Sequence, residues 1–229
     1  MFKGNNPKAY SKVGDCNIIL PYFVGAFDQP GGYNLGDYSS LQDTVDYFAG
    51  SHGRRSEAAR QGMTVSSVLS MLWVDQKECL ASETPLSCEL RVHRPMFVII
   101  SFGTNDAYST ADFEQVMRRV IEMSIGNGSL PILATKADNS EHDHSINRKI
   151  AALAYEYQLP LWNFWAAVQP LPYHGMSLQF LEHLSSGLDT SANFDFSGDN
   201  LQKYGWTMRN LSALQMLDFI RKAVETVSK

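Results

Sequence analysis

The sequence predicts a single α/β domain over residues 1–229, a three-layer α/β/α sandwich with a parallel β-sheet of about five strands. Three short apolar runs, each closed by polar or glycine residues, have the length and composition of buried parallel strands. Stretches with helical apolar spacing lie between these runs, and this alternation is typical of a parallel sheet covered by helices on both faces. No linker-like change in composition indicates a second domain.

The strand predictions follow the chain in order. The first strand, at residues 10–16, is short and only partly apolar, so its pattern is weak. The other three are the apolar runs at residues 96–102, 130–134 and 159–164. In open parallel sheets, ligands bind at the carboxyl ends of the strands. We therefore expect the functional residues in the segments that directly follow these runs.

Five helices are predicted from apolar residues that recur at helical spacing. Two lie in the first half of the chain, at about residues 40–48 and 64–73. A third begins at Ser109 and Asp112, which resemble a capping box. The last two are based on two apolar sets: Ile146, Ile150, Leu153, Ala154 and Tyr157; and, from near Asn210, Leu214, Leu217, Ile220, Val224 and Val227.

Composition and charge exclude several classes of protein. Hydrophobic residues make up 44% of the chain and charged residues 19%, which is too apolar for intrinsic disorder. The net charge of −5 and the absence of a basic run predict no nucleic-acid partner. The longest apolar run falls far short of the roughly 20 residues that span a membrane. Because the N-terminal residues lack an apolar signal core, we expect a cytosolic protein or an export signal outside these residues.

The three cysteines are Cys16, Cys79 and Cys88. Turn-forming residues between Cys79 and Cys88 could bring these two together, so they are either a local disulfide or two small buried thiols. A disulfide would favour a secreted or cell-surface protein, whereas two thiols would favour the cytoplasm. A disulfide would also leave Cys16 as the one cysteine outside the pair.

Two polar segments stand where strands are predicted to end. Residues 102–106 read Phe-Gly-Thr-Asn-Asp, and residues 13–17 read Val-Gly-Asp-Cys-Asn. The first of these alone is equally typical of a plain turn. Together, they resemble the Gly-x-Asn-Asp block and the Gly-Asp-Ser nucleophile block of the SGNH (GDSL-type) hydrolase family. The resemblance implies a flavodoxin-like fold and an ester hydrolase that needs no metal or cofactor.

Two further blocks of that family are matched in part. Gly62 matches a lone glycine that opens a helix, and His183 matches the histidine of the Asp-x-x-His block. Phe180 stands where that block has its aspartate, and Cys16 stands where the family has its nucleophilic serine. The order and spacing of the blocks fit the family over roughly residues 11–220.

The resemblance implies a role for each matched residue. Cys16 would be the nucleophile and His183 the general base. The backbone N–H groups of Cys16 and Gly62, together with the side-chain amide of Asn105, would stabilise the oxyanion. A helix opening at Gly62 would add its positive end to that site. The neighbouring residues that would bind substrate are Asp15, Asn17, Thr104 and Asp106.

The two departures from the family leave two functions open. A thiol can replace the hydroxyl, because a nearby imidazole lowers the pKa of a cysteine. Phe180 cannot orient a histidine ring, and loss of that carboxylate lowers kcat by about 10⁴ in a serine triad. Asp189 or Asp195 could replace it only if the loop after His183 folds back. The chain is thus either an ester hydrolase that forms a thioester on Cys16, or a catalytically degraded module kept for binding.

Two broader hypotheses also fit the sequence. The chain could be an unrelated α/β protein, or Cys16 could have been introduced by design.

His142 and His144 precede a helix in a polar stretch, which favours a solvated turn over a metal site.

The expected partner is a small-molecule or acylated-carbohydrate ester, and the oligomeric state is not predicted. An insertion at about residues 74–95 is expected to cover one side of the site. The residues in it that would shape access are Glu83, Thr84, Glu89 and Arg91.

Overall fold

The computed structural model describes residues 3–180 and 182–227, in which strands and helices alternate. In chain order the elements are β1 (Asn6–Gly14), α1 (Gln42–Tyr47), α2 (Pro85–His93), β2 (Pro95–Ser101), α3 (Phe113–Gly126), β3 (Leu130–Ala134), α4 (Ser145–Glu156), β4 (Leu161–Trp162), α5 (Phe164–Val168), α6 (Asn200–Lys203) and α7 (Gly205–Val227). All strands lie parallel in one sheet, in the order β1-β2-β3-β4. The predicted α/β class with a parallel sheet is confirmed. Within the described residues, no helix has the length and apolar character needed to cross a membrane.

The sheet has four strands over the described residues, where about five were expected. The missing strand is reduced to one parallel bridge between Gly14 and Ala59. Two backbone hydrogen bonds frame this bridge, from Gly14 N to Ala58 O at 3.0 Å and from Arg60 N to Gly14 O at 3.2 Å. Alanine has a low propensity for strands, which fits the short pairing. With the bridge counted, the strand order is the flavodoxin-like 2-1-3-4-5.

The strand boundaries follow burial. All seven residues of β2 are buried, which explains why the run reads as continuously apolar. β3 has the predicted bounds. β1 begins earlier than predicted. Its first three residues are exposed and do not show the apolar pattern, so the sequence did not indicate them. β4 pairs through only two residues.

The helix predicted at residues 64–73 is wrong. This stretch forms two short 3₁₀ turns, Ser67–Leu69 and Met71–Trp73. Serine competes with helical hydrogen bonds, and the Ser70 hydroxyl accepts from the Leu72 N–H at 3.4 Å, at the start of the second turn. Gly62 therefore opens no α-helix. The expectation that a positive helix end at this glycine would stabilise the oxyanion is wrong.

The capping box expected at Ser109 and Asp112 is also wrong. α3 begins at Phe113 after Asp112, and the Asp112 side chain makes no capping hydrogen bond. α4 has the expected apolar face, with Ile146 and Ile150 fully buried. α7 begins at Gly205, five residues before the predicted start. The predicted burial of the Val227 side chain falls outside the described part of the chain.

The insertion before β2 contains α2 and a disulfide. Cys79 and Cys88 are bonded, with their Cα atoms 5.4 Å apart, so they form a disulfide and are not two buried thiols. Thr84 and Ser87 form a capping box at the start of α2. Glu89 is fully buried, which corrects the expectation that it shapes access to the site. Its carboxylate instead accepts a hydrogen bond from the Glu57 N–H at 2.9 Å and another from the hydroxyl of Ser11 in β1.

The chain divides into two compact units. The first consists of Met1–Ile19 and Arg55–Asn163, and the second of Leu20–Arg54 and Phe164–Lys229. The first unit contains the sheet with α2, α3 and α4, and its core includes side chains of all three helices and of β2. The second unit contains α1, α5, α6 and α7. The expectation of one domain over residues 1–229 stays a prediction.

Asn210 of α7 is completely buried in the second unit. Its amide oxygen accepts from the Val24 N–H at 2.8 Å, and its amide nitrogen donates to the carbonyl oxygens of Tyr22 at 2.9 Å and Asn193 at 3.0 Å. Because these bonds satisfy backbone groups of two separate segments, Asn210 joins both of them to α7.

Candidate active site

Cys16 lies two residues after the end of β1, outside the strand that was predicted at residues 10–16, at the carboxyl end of the sheet. It is the first residue of a 3₁₀ turn, Cys16–Ile18, and is partly exposed. Asp15 caps this turn, because its carboxylate accepts from the Asn17 N–H at 2.9 Å. Asp15 is only 1% exposed. The Cys16 turn is thus held by a buried cap at the edge where ligands bind in such sheets.

Thr104 ties the segment after β2 to the Cys16 turn. Its backbone N–H donates to Asp15 Oδ2 at 3.3 Å. Its hydroxyl oxygen accepts from Asn17 Nδ2 at 3.1 Å. Both residues that flank Cys16 are therefore bonded to the residue that precedes Asn105.

The segment that contains Gly62 is tied to the same place. Asn105 Nδ2 donates to the carbonyl oxygen of Met63 at 3.1 Å, and Asp106 Oδ1 accepts from the Val65 N–H at 3.0 Å. Gly62 has φ +77°, a conformation that suits glycine. The segments of Cys16, Gly62 and Asn105 therefore converge within the first unit.

Asn105 keeps donor capacity in this arrangement. An amide nitrogen carries two hydrogens, and the bond to Met63 uses one of them. Asn105 is partly exposed and Gly62 is exposed, so a ligand could approach both. Their assignment to an oxyanion hole with the Cys16 N–H stays a prediction.

The four residues expected to bind substrate are buried. Asp15, Thr104, Asp106 and Asn17 are 1%, 1%, 5% and 9% exposed. Their hydrogen bonds to one another and to the backbone favour a role in positioning the three segments. Direct contact between these four residues and a substrate stays a prediction.

Asp106 has an unusual carboxyl group. One oxygen accepts from Val65, whereas the other, Oδ2, is buried without a hydrogen-bond partner. Burial raises the pKa of Asp106 to about 6, although N–H groups of Val65 and Gly103 and the charge of Lys136 lower it. The pKa of this carboxyl is therefore well above the usual value for an aspartate.

A buried lysine that the motifs do not indicate, Lys136, lies beside these segments. Lys136 Nζ lies 2.5 Å from Asp138 Oδ1 and 2.5 Å from Glu141 Oε2, and all three side chains are at most 5% exposed. Asp138 Oδ2 accepts from the Thr104 hydroxyl at 2.8 Å. Burial alone would raise the pKa of Asp138, but the Lys136 ammonium and hydrogen bonds from Lys136, Thr104 and Ser140 hold it below its usual value.

A signal for this lysine was present in the sequence. Lys136 and Asp138 lie shortly after the apolar run at residues 130–134, just as polar residues lie shortly after the first two strands. The rule that ligands bind at the carboxyl ends of strands applies to the third strand as well. His142 and His144 are exposed at the turn before α4.

His183 lies in the second unit. It is exposed and directly precedes Leu184, which bridges to Met176. Its carbonyl oxygen accepts from the Ser177 N–H at 2.8 Å. Its ring meets the Phe180 ring edge-on, with centroids 6.1 Å apart. The pairing of His183 with Cys16 stays a prediction.

The two carboxylates that could have replaced the missing aspartate cap their own turns. Asp189 accepts from the Ser191 N–H at 2.7 Å, and Asp195 accepts from the Ser197 N–H at 3.0 Å. Neighbouring hydroxyls bond to both carboxylates as well. These contacts give Asp189 and Asp195 local structural roles.

One group of potential metal ligands occurs within the described residues. The sulfurs of Cys79 and Cys88 lie near the carboxylate of Glu83. Both sulfurs belong to the disulfide, so neither is the thiolate that a metal requires. Glu83 is bonded to Arg91 instead, at 2.5 Å.

Comparisons with protein families and with curated protein sequences gave no match. Solved structures do match. The chain resembles a GDSL-like lipase from Bacteroides thetaiotaomicron (TM-score 0.50, 14% identity; 96% of this chain and 89% of that chain covered). It also resembles an acetylxylan esterase from Geobacillus stearothermophilus (0.52, 14%; 93% and 94%) and a protein of Desulfitobacterium hafniense described as lipolytic and of the G-D-S-L family (0.52, 13%; 91% and 99%). The chain therefore has the fold of the GDSL, or SGNH, lipases and esterases, as its Gly-Asp-Cys and Gly-Thr-Asn-Asp segments predict.

Proposed function

We propose that this chain is an ester hydrolase in which Cys16 is the nucleophile. The convergence of the Cys16, Gly62 and Asn105 segments carries the proposal. Thr104 joins the first of these segments to the third, and Asn105 joins the third to the second. This arrangement supports a nucleophile with oxyanion donors at the edge of one sheet.

Proteins of the same fold support the reaction class. They include a lipase and an acetylxylan esterase. Catalytic mutants of that esterase replace a serine in one case and a histidine in another. In this chain we assign the corresponding roles to Cys16 and His183. The substrate class we propose is a small ester or an acylated carbohydrate.

The reaction has two steps. His183 takes the Cys16 proton, the thiolate adds to the ester carbonyl carbon, and the oxyanion accepts hydrogen bonds from Asn105 and from the N–H groups of Cys16 and Gly62. The C–O bond then breaks, the alcohol leaves with the proton from His183, and a thioester remains. A water molecule adds to the thioester while His183 takes its proton, and the acid and the Cys16 thiol are released.

A specific observation favours a second candidate, a binding module without turnover. Phe180 stands at the position of the family's aspartate, and the nearby Asp189 and Asp195 cap their own turns. A histidine without an orienting carboxylate is a poor base. Such a module would bind esters without cleaving them.

The disulfide between Cys79 and Cys88 bears on where the protein works. Disulfides persist in oxidising compartments and are rare in the reducing cytosol. The bonded pair therefore supports a secreted or cell-surface location.

Hydrolysis of p-nitrophenyl acetate and of acetylated xylo-oligosaccharides tests the proposal. We expect turnover by the wild type, background rates for Cys16→Ala, and a loss of about 10²-fold or more for His183→Ala. His174→Ala is the matched control, because His174 is another exposed histidine of the second unit. Mass spectrometry of the quenched reaction should find an acetyl group on Cys16.

Two outcomes would overturn the proposal. Turnover that survives both Cys16→Ala and thiol alkylation would remove Cys16 from the mechanism. Binding of the acetylated oligosaccharide by calorimetry, without turnover in the wild type, would establish the binding module instead.

A further inference from the structure

We infer that Lys136 is a positioning residue, which holds the segment of Asn105 against the turn that carries Cys16. Its catalytic meaning rests on the proposed function. The contacts described below are independent of that proposal, and they all lie within the first unit. Four features of Lys136 support the inference.

The backbone of Lys136 is clamped by α4. Asn147 Oδ1 accepts from the Lys136 N–H at 2.9 Å, and Asn147 Nδ2 donates to the Lys136 carbonyl oxygen at 2.9 Å. This pair of hydrogen bonds fixes both the N–H and the carbonyl group of Lys136. The side chain of Lys136 therefore starts from a fixed point at the end of β3.

The aliphatic stem of Lys136 runs beside Gly103, the first residue of the Gly-Thr-Asn-Asp segment. A Cβ on Gly103 would lie 2.8 Å from Lys136 Cδ and 2.7 Å from a methyl group of Ile146. Gly103 also has φ +129°. A side chain at position 103 would collide with the lysine stem, so the glycine lets the stem pass close to this segment.

The ammonium group is buried between two carboxylates. Lys136 is 4% exposed, and it pairs with Asp138 and Glu141. A buried ammonium is strongly unfavourable unless it is paired. Removing the ammonium would leave two buried carboxylates without their counter-charge.

A series of hydrogen bonds links the Lys136–Asp138 pair to the residue next to Cys16. The Asp138 carboxylate that binds Lys136 also accepts from the Thr104 hydroxyl at 2.8 Å. The Thr104 oxygen accepts in turn from Asn17 Nδ2 at 3.1 Å. Asn17 follows Cys16 and Thr104 precedes Asn105, so this series of hydrogen bonds includes a neighbour of each of these two candidate residues. If Asp138 becomes protonated or moves, Thr104 loses its charged acceptor.

The reactivity of Cys16 tests the inference without reference to esterase activity. Cys16 is the cysteine outside the disulfide, so the rate of alkylation by iodoacetamide between about pH 5 and pH 9 reports on it. We expect Lys136→Met to change the alkylation rate by at least about threefold, or to shift its pH profile. Lys136→Arg should restore much of the wild-type profile, because it keeps the charge.

Two variants control for a purely structural role. Lys77→Met removes an exposed lysine of the same unit and should leave the profile unchanged. Thr104→Val keeps the size of the side chain but removes the hydroxyl between Asp138 and Asn17. We expect it to reproduce the effect of Lys136→Met even if Lys136→Met itself does not fold.

The outcomes separate the inference from the proposed function. If the wild type hydrolyses esters, Lys136→Met should lower kcat about tenfold or more with KM within about twofold, because Asn105 acts in the transition state. If the wild type hydrolyses no ester but the alkylation profile changes as expected, the proposed function fails and the positioning role stands. An unchanged profile in a folded Lys136→Met protein, or in Thr104→Val, would overturn the inference.

Discussion

Gly14 and Ser101 lie so close that a Cβ on Gly14 would stand 2.1 Å from the carbonyl oxygen of Ser101. The two residues are register partners at the ends of β1 and β2. Gly14 directly precedes the Asp15 cap and Cys16. Glycine is therefore required at position 14, because the two strands approach each other closely there. This approach sets where the Cys16 turn begins.

We expect Gly14→Ala to destabilise the protein by about 2–3 kcal/mol, because the added methyl group forces the strand ends apart. Urea unfolding followed by circular dichroism measures this. Gly126→Ala is the control, because a Cβ at Gly126 would have no neighbour within 4 Å. Equal stability of the two variants would contradict the close approach.

The disulfide should contribute to stability mainly through the unfolded chain. With a sequence separation of 9, closure of this loop is worth roughly 2.5 kcal/mol. Replacing Cys79 and Cys88 by serine together should lower the free energy of unfolding by about this amount. A reductant should do the same to the wild type and should not affect the double variant. A wild-type urea midpoint that does not respond to reductant would count against the bond.

Asp106 should make stability depend on pH. The folded protein binds this proton more tightly than the unfolded chain, since burial raises the pKa of Asp106 to about 6. Its stabilising contribution is therefore complete below about pH 4 and is lost as the pH rises through about 6. A shift of about two units corresponds to at most about 3 kcal/mol.

Asp106→Asn removes this titration. The stability of the wild type relative to the variant should fall, by up to about 3 kcal/mol, between about pH 4 and pH 7. Urea unfolding at several pH values measures the difference. Asp37→Asn, at an exposed aspartate, should show no such trend. A difference that rises with pH would refute the assignment.

Asn210 should be essential to the second unit. Asn210→Ala leaves the Val24 N–H and the carbonyl oxygens of Tyr22 and Asn193 without the partner that now satisfies them. We expect a loss of about 2–4 kcal/mol in the free energy of unfolding. Gln215→Ala, at an exposed site on the same helix, should stay within about 0.5 kcal/mol of the wild type. Thermal unfolding compares the two.

The fold was predictable where burial is continuous along the chain. β2 and β3 were placed to within one residue, because a strand buried on both faces must be apolar throughout. The helix predicted at residues 64–73 failed for the opposite reason. Its apolar spacing is real, but the Ser70 side chain there bonds to the backbone, and the stretch forms two 3₁₀ turns.

The candidate site was predictable in its components and not in its connections. The resemblance of short segments to the SGNH blocks indicated Cys16, Gly62 and Asn105 as candidates, and their roles stay predictions. The motifs did not identify Lys136, whose importance depends on contacts with Asp138, Glu141 and Gly103. Glu89 was misjudged in the same way, since nothing next to it in sequence indicates its bonds to Ser11 and Glu57.

The sequence by itself determined the α/β class and the apolar strands β2 and β3, and it placed Cys16 at the end of the first strand, because periodicity and strand-end motifs are local properties of the chain. Only the tertiary structure decided which charged and polar side chains are buried, and what they bind. The physical reason is that a charge enters the interior only where packing supplies a partner. Val65, the partner of Asp106, and Ser11 and Glu57, the partners of Glu89, come from segments that the chain brings together only when it folds.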